Sequence, residues 1–291
     1  MKDLIKKAGI MVEMLPYIQK FRDAIVVVKF GGSAMEDSEL TKKTMRDIVL
    51  LEAVGMKVVV VHGGGKAITA KLAEMKIPTE FIHGFRKTCD DTISVVDDVL
   101  HDEVNLNLVQ AVNDIGGRGE QISGKNILQA KKMYASCPET GDNVDVGHVG
   151  TIAEVDTDPI FEALKNNVIP VIPPLGSDGN GQVYNINADI AACNIAEALN
   201  AEKLVFVSDV PGILRDFTDE STLIPTIKVS EVPNLIKDKV IGGGMIPKVN
   251  ASVHALQTGT KFVHMIDGRI EHSLLLEFFT DSGVGTMIIN G

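Results

Sequence analysis

Two short runs of β-branched residues stop abruptly at clustered glycines, and this pattern limits what the chain can fold into. The first reads Ile25-Val26-Val27-Val28-Lys29-Phe30-Gly31-Gly32, the second Lys57-Val58-Val59-Val60-Val61-His62-Gly63-Gly64-Gly65. Unbroken apolar runs of this length predict strands buried on both faces, the habit of parallel sheets. Glycines at their ends let backbone N–H groups approach a bulky anion, because no Cβ intervenes. A third cluster, Gly242-Gly243-Gly244, precedes Met245-Ile246-Pro247-Lys248 and a helical pattern. Backbone N–H groups together with Lys29 and Lys248 are the ingredients of a polyphosphate site.

Strand and helix patterns alternate along the rest of the chain. Residues 3–22 predict an amphipathic helix through Leu4, Ala8, Met11, Leu15 and Ile18, kinked at Pro16. Further helices are predicted over 38–54, 65–76, 91–115, 158–166, 188–200, 230–237 and 247–258. Within 91–115 Val95, Val99, Leu106 and Val109 are the expected core, and Pro247 is placed as the first residue of the last span. Strands are predicted at 168–172, 203–208, 261–266 and 285–289. The pattern implies an α/β fold with a mostly parallel open sheet between helical layers, and ligands bound beyond the carboxyl ends of its strands.

Composition narrows the partners. A net charge of -11 over 291 residues argues against nucleic acid or an anionic membrane as the main partner. No run approaches the roughly 18 apolar residues of a membrane span, and Asp3, Glu13 and Pro16 interrupt the first 24 residues, which do not read as a signal peptide. Cys89, Cys137 and Cys193 are far apart and form no CxxC pair, so a reducing cytoplasm is expected and no protein metal site is predicted. Neither GxxxxGK[ST] nor GxGxxG occurs, which excludes a P-loop and a dinucleotide fingerprint. Asn187 is a good N-cap with Asp189 in the first turn behind it, and Arg86 carries a fork suited to a carboxylate.

Taken in order, the segments resemble the amino acid kinase family. The residues that carry the likeness are Lys29–Met35, His62–Gly65, Gly84–Thr88, Gly147–Gly150, Tyr184–Asp189, Ser208–Leu214 and Gly243–Val249, spread over essentially the whole chain. The match is best to members whose acceptor is N-acetyl-L-glutamate. The resemblance implies a three-layer αβα sandwich, with an oligomerisation helix at 1–24, an amino-acid-binding lobe at 25–200 and an ATP-binding lobe at 201–291. It implies transfer of phosphate from MgATP to the γ-carboxylate of N-acetyl-L-glutamate, a step of arginine biosynthesis. By the same resemblance Lys29 and Lys248 contact the transferring phosphoryl group and Asp189 positions both. Gly63, Gly64, Arg86 and Asn185 hold the acceptor. Gly31, Gly32, Ser208, Asp209, Gly212, Ile213, Leu214, Gly243, Gly244 and Met245 line the nucleotide.

The N-terminal stretch Leu15-Pro16-Tyr17-Ile18 resembles the extension of arginine-inhibited, hexameric members. There the resemblance implies an arginine site built by Tyr17, Lys203 and Glu277, a homo-oligomer based on dimers, and a PII-type signalling protein as a partner. Two alternatives stay open: an acceptor such as aspartate, glutamate, carbamate or UMP, and a catalytically silent arginine sensor. The settings of Arg86 and Asn185 favour N-acetylglutamate, and the intact Lys29, Lys248 and Asp189 disfavour the sensor. The sequence departs from its relatives at Lys66, where proline is common, and in the polar segment Arg118–Ile122.

Overall fold

A computed structural model describes residues 1–136 and 141–291, apart from the side chain of Ser33. Cys137 lies outside the described residues; Cys89 and Cys193 are free thiols. The chain opens with helices α1 (Lys2–Glu13) and α2 (Leu15–Phe21), followed by β1 (Ile25–Phe30), α3 (Ser38–Ala53), β2 (Lys57–His62) and α4 (Gly65–Glu74). A small hairpin, β3 (Phe81–Ile82) and β4 (Phe85–Arg86), leads to α5 (Asp90–Asp97), a π-helical segment (Asp98–Asn105) and α6 (Leu106–Asp114). Next come β5 (Gly119–Gln121), α7 (Gly124–Ile127), β6 (Leu128–Ser136), β7 (Asn143–Val155), α8 (Asp158–Lys165), β8 (Ile169–Ile172), β9 (Leu175–Ser177) and β10 (Val183–Asn185). The chain continues through α9 (Ala188–Ala198), β11 (Lys203–Ser208), β12 (Thr226–Lys228), α10 (Val232–Lys237), α11 (Met245–Thr258), β13 (Phe262–Asp267), α12 (Ser273–Phe279) and β14 (Thr286–Ile289).

Eight strands form one sheet in the order β12-β14-β13-β11-β1-β2-β8-β5. All neighbours are parallel except β13 and β14. The two glycine-ended strands are adjacent, and their register sets Phe30 against His62. Both glycine turns therefore emerge side by side at the carboxyl edge. Strand alternation divides the core. Val26, Val28 and Phe30 pack with α3, α6 and α12 on one face, while Val27 packs with α9 and α11 on the other. Lys29 follows Val27 onto the α9 face, as the period of two requires. The three-layer α/β architecture agrees with the expectation.

The N-terminal helix divides at Met14, and Pro16 stands in the first turn of α2, where its missing N–H costs nothing. Leu4, Met11 and Leu15 of the apolar stripe are exposed, and α1 buries no residue at all. Two other expectations are corrected. Leu106 is exposed, whereas Leu108 and Val112 are buried, because the π-helical turns before them rotate the face that meets the sheet. Helix α11 starts at Met245, so Pro247 is its third residue.

Beside the main sheet, β6, β7, β9 and β10 close into a small barrel. It is tied to the segment that follows the β3–β4 hairpin through Thr88, whose N–H donates to Val146 O at 2.9 Å and whose carbonyl accepts from His148 N at 2.6 Å. Gly147 makes this approach possible. Its φ is +79°, and a Cβ there would lie 2.1 Å from the Thr88 carbonyl oxygen. Gly147→Ala is expected to cost about 2–4 kcal/mol, from left-handed strain plus a backbone clash. Chemical denaturation checks this, and an unchanged midpoint would contradict the packing described.

Candidate active site

The carboxyl edge of the sheet opens into a cavity of about 680 Å³ lined by Lys29, Gly32, Gly63, Gly64, Arg86, Asn185 and Asp189, among others. Helix α9 starts at its wall. Asn187 caps it, accepting from Asp189 N at 2.9 Å and Ile190 N at 3.1 Å. That cap fixes the first turn and aims the Asp189 carboxylate back at the sheet. Its two oxygens meet two ammonium groups, Lys29 Nζ at 2.9 Å and Lys248 Nζ at 3.1 Å.

The electrostatics of this triad are strong because little water reaches it. Burial pushes the Asp189 carboxyl up, but Lys29 and Lys248 outweigh it and hold the group below the ordinary aspartate value. Burial also lowers Lys248, while Asp189 pulls it back up and Lys29 pushes it further down. Lys248 is steadied from below by the Phe206 ring, 4.9 Å from its ammonium. Two cations around one anion give the triad itself a net positive charge. A Cβ on Gly31 would lie 2.5 Å from Lys29 Nζ, so a side chain there would displace the ammonium from its present position.

On the opposite wall, β4 presents Arg86. Its Nη2 donates to Gly65 O at 2.8 Å and Thr69 Oγ1 at 2.7 Å, and the guanidinium stacks 4.8 Å from the Phe81 ring. Its Nη1 is buried and has no partner among the described residues. A guanidinium so held offers one unused terminal nitrogen to an incoming carboxylate. Thr88 Oγ1 links this wall to the barrel, donating to Arg86 O at 2.8 Å and accepting from Asn185 Nδ2 at 3.3 Å. Thr69 and Thr88 carry no function in the sequence reading. A threonine at i+4 from Gly65 on a helix is an unremarkable surface residue until β4 is seen to cross over it.

The predicted nucleotide residues are only partly gathered. Asp209 approaches Gly32 closely enough that a Cβ there would lie 3.4 Å from Asp209 Cγ. Ser208 ends β11 with its hydroxyl buried and unpartnered among the described residues. Ile213 N donates to Thr286 Oγ1 at 2.8 Å, which fastens Gly212, Ile213 and Leu214 toward β14 rather than onto the triad. Gly243 and Gly244 lead into α11, with Met245 as its first residue.

Tyr17, Lys203 and Glu277 stand outside the residues that line this cavity. Lys203 begins β11 and Ser208 ends it, so these two residues are about 17 Å apart along the strand. The Lys203 ammonium lies 4.6 Å from both the Phe21 and the Phe278 ring. Glu277 is buried against His264 Nδ1 at 2.5 Å and accepts from Val284 N at 2.9 Å. Tyr17 Oη donates to Asp281 Oδ1 at 2.5 Å. Burial pushes Lys203 down to about 8, with Glu277 opposing and Lys20 assisting. An unfolded lysine holds its proton up to its ordinary value of about 10.4, so between the two the unfolded state binds more protons. This group is therefore expected to make stability rise with pH above about 8. Denaturation series of the parent and Lys203→Met should diverge in that window and run parallel below it.

The amino acid kinase family matches residues 24–267 of the chain. An acetylglutamate kinase of Brachyspira hyodysenteriae is 48% identical over 281 residues, covering 97% of this chain and 96% of that protein. An acetylglutamate kinase of Akkermansia muciniphila is 45% identical over 287 residues, covering 98% and 96%. Among solved structures, N-acetylglutamate synthase of Neisseria gonorrhoeae, complexed with coenzyme A and N-acetyl-glutamate, superposes with a TM-score of 0.83 at 26% identity. It is matched over 98% of this chain but only 63% of its own length. The same synthase complexed with coenzyme A and L-arginine gives 0.80 at 25%, over 98% of this chain and 65% of its own. With its triad of Lys29, Asp189 and Lys248 at the sheet edge, the chain belongs to the amino acid kinase family, among its acetylglutamate kinases.

Proposed function

We propose that the chain transfers the γ-phosphoryl group of ATP to the γ-carboxylate of N-acetyl-L-glutamate, a step of arginine biosynthesis. The observation that carries the mechanism is Asp189 held between Lys29 and Lys248 at the mouth of the glycine turns. The acceptor is already an anion at neutral pH, so no general base is needed. A carboxylate oxygen attacks the γ-phosphorus, the bond to the β,γ-bridging oxygen breaks, and ADP leaves with that electron pair. The obstacle is charge repulsion. Lys29, Lys248 and the glycine N–H groups meet it by facing the equatorial oxygens of the transferring group.

No cluster of three or more His, Cys, Asp or Glu suited to a metal occurs among the described residues, and Asp189 is engaged by two lysines. That donor set fits magnesium carried on the nucleotide phosphates, with waters as its other ligands. When bound there it supplies charge neutralisation. Gly31, Gly32, Ser208, Asp209, the Gly212–Leu214 turn and Gly243–Met245 form the nucleotide side. Gly63, Gly64, Arg86 and Asn185 form the acceptor side. In this reading 25–200 is the acceptor lobe and 201–291 the nucleotide lobe, working in the cytoplasm. No helix among the described residues is long and apolar enough to cross a membrane.

The test is MgATP-dependent acyl phosphate formation trapped with hydroxylamine, comparing N-acetylglutamate with glutamate, aspartate and carbamate. Product with N-acetylglutamate alone is the expected result. Product with another acceptor would move the substrate assignment, and no product with any would remove the catalytic reading.

A second, regulatory reading rests on the Tyr17, Lys203 and Glu277 locus, where a buried carboxylate and two aromatic rings surround a lysine. We assign it to inhibitory arginine. The exposed apolar stripe of α1 supports assembly into dimers and hexamers, to which a PII-type signalling protein could dock. Glu277→Gln is expected to raise the half-inhibiting arginine concentration on the order of tenfold or more, through loss of a charge-assisted contact. An unchanged inhibition curve would remove Glu277 from the site.

A further inference from the structure

The glycine turn after β2 is gripped from behind by a fully buried pair, His62 and Asn105, which the chemistry above does not use. Both side chains are inaccessible to solvent. His62 Nδ1 lies 2.7 Å from the Gly63 carbonyl oxygen. Asn105 Nδ2 lies 3.0 Å from His62 Nε2 and 3.0 Å from Val171 O. The proton positions follow from the partners. Val171 O can only accept, so the Asn105 amide must turn its NH₂ that way, and the same NH₂ then donates to Nε2. Gly63 O can only accept, so Nδ1 carries the ring proton. The imidazole is thereby locked as the neutral Nδ1–H tautomer, at the cost of leaving Asn105 Oδ1 without a partner among the described residues.

The consequence lies in the next peptide. Gly63 C=O and Gly64 N–H belong to one planar trans unit, so they point in opposite directions. Fixing the carbonyl on the His62 ring fixes the Gly64 N–H away from it, on the side where Gly63 and Gly64 line the cavity. The adjoining backbone is pinned as well, since Gly63 N donates to Phe30 O at 2.8 Å. A freely rotating glycine peptide could flip its N–H out of the site. This one is clamped on both sides.

The π-helical segment supplies the clamp. Asn105 is its last residue, and Leu100 within it packs over the turn so closely that a Cβ on Gly64 would lie 2.3 Å from Leu100 Cδ2. The wider turns bring an amide to the back of the glycine loop while the neighbouring residues Glu103 and Val104 line the cavity.

We infer that His62 and Asn105 are positioning residues for phosphoryl transfer: the Asn105 amide fixes the His62 tautomer, and His62 fixes the Gly63–Gly64 peptide so that the Gly64 N–H faces the transferring group. The inference rests on the phosphotransferase reading of the cavity. Burial pushes the His62 imidazole down to about 4, against the pull of the Gly63 carbonyl, so the neutral ring persists through the physiological range. The role is distinct from stability, because two conservative changes separate the ring's two contacts. His62→Asn keeps a donor near Nδ1 for Gly63 O and gives up the acceptor. His62→Gln keeps an acceptor near Nε2 for Asn105 and gives up the donor.

The experiment compares kcat, KM and thermal midpoint of full-length His62→Asn, His62→Gln and Asn105→Leu. It also measures the affinity of each for MgADP with and without aluminium fluoride. His62→Asn is expected to keep kcat within about threefold. His62→Gln should lose about 30- to 100-fold in kcat, toward the 10²–10³ of a lost oxyanion donor, with KM values moving less than about threefold. The tightening that aluminium fluoride brings to MgADP should survive in His62→Asn and vanish in His62→Gln. Equal losses in both variants, or losses that track the thermal midpoint, would overturn the inference. If neither His62 variant folds, Asn105→Leu decides: reduced kcat with unchanged KM supports it, and parental kcat overturns it. The aluminium fluoride comparison needs no acceptor, so a wrong acceptor assignment would show as a parent silent with N-acetylglutamate while this comparison still discriminates.

Discussion

Asp189→Asn is expected to fold and to turn over about 10³-fold more slowly than the parent. The carboxylate lies between two largely buried ammonium groups, at 2.9 Å from Lys29 Nζ and 3.1 Å from Lys248 Nζ. An amide of the same shape keeps the cap on α9 but cannot balance either charge. The lysines then repel each other and swing away from the position where the transferring group must sit. Losing one well-placed donor costs about 10²–10³ in kcat, and two lysines are affected together, though not additively. A pH signature accompanies the loss. Asp189 is the main influence holding Lys248 up against burial. Without it the lysine loses its proton at lower pH, so the alkaline limb of the variant's rate profile should shift to lower pH than the parent's. Hydroxylamine-trapped rates across the neutral and alkaline range check both points. A kcat within tenfold of the parent, with the alkaline limb in place, would show that the triad is a structural ion cluster and not the catalytic device.

The parts of this site that were legible in sequence are those written in backbone terms. Val26–Phe30 and Val58–His62 read as buried strands, and the paired and tripled glycines at their ends favour close-approach turns over plain strand-to-helix turns, so the sheet and its functional edge followed from local pattern. Lys29 was assignable to a face by alternation alone. Asp189 was harder: its place behind the Asn187 cap explains it fully as a first-turn acid, and only the tertiary meeting of β1, α9 and α11 turns it into a shared counter-ion. The π-helical segment was not legible, since one periodic pattern over 91–115 reads as a single α-helix and a shift of hydrogen-bond partner leaves no mark on composition. The misplaced Leu106 is the direct result. His264 behind Glu277, and Thr69 beneath Arg86, were hidden for a related reason, because each pairs with a residue from a separate element.

Arg86→Lys should raise the KM for the acceptor by about 30- to 150-fold, while the KM for ATP stays within about threefold. Both residues carry one positive charge, so a site that used charge alone would tolerate the exchange. The geometry here uses the fork. One nitrogen, Nη2, is spent on Gly65 O and Thr69 Oγ1, and the plane is held by stacking on Phe81. The other, Nη1, is buried and free of partners among the described residues. A lysine has one nitrogen and cannot hold the helix end and reach the substrate together. Whichever contact it keeps, the other is lost, at about 2–3 kcal/mol for a charge-assisted hydrogen bond, which converts to the stated range. Thr69→Val supplies the control. It removes one anchor of the guanidinium while leaving its charge, and should produce a smaller rise in the same KM. Equal KM values for the parent and Arg86→Lys would mean that the acceptor carboxylate binds elsewhere on the cavity wall, with Asn185 the next residue to examine.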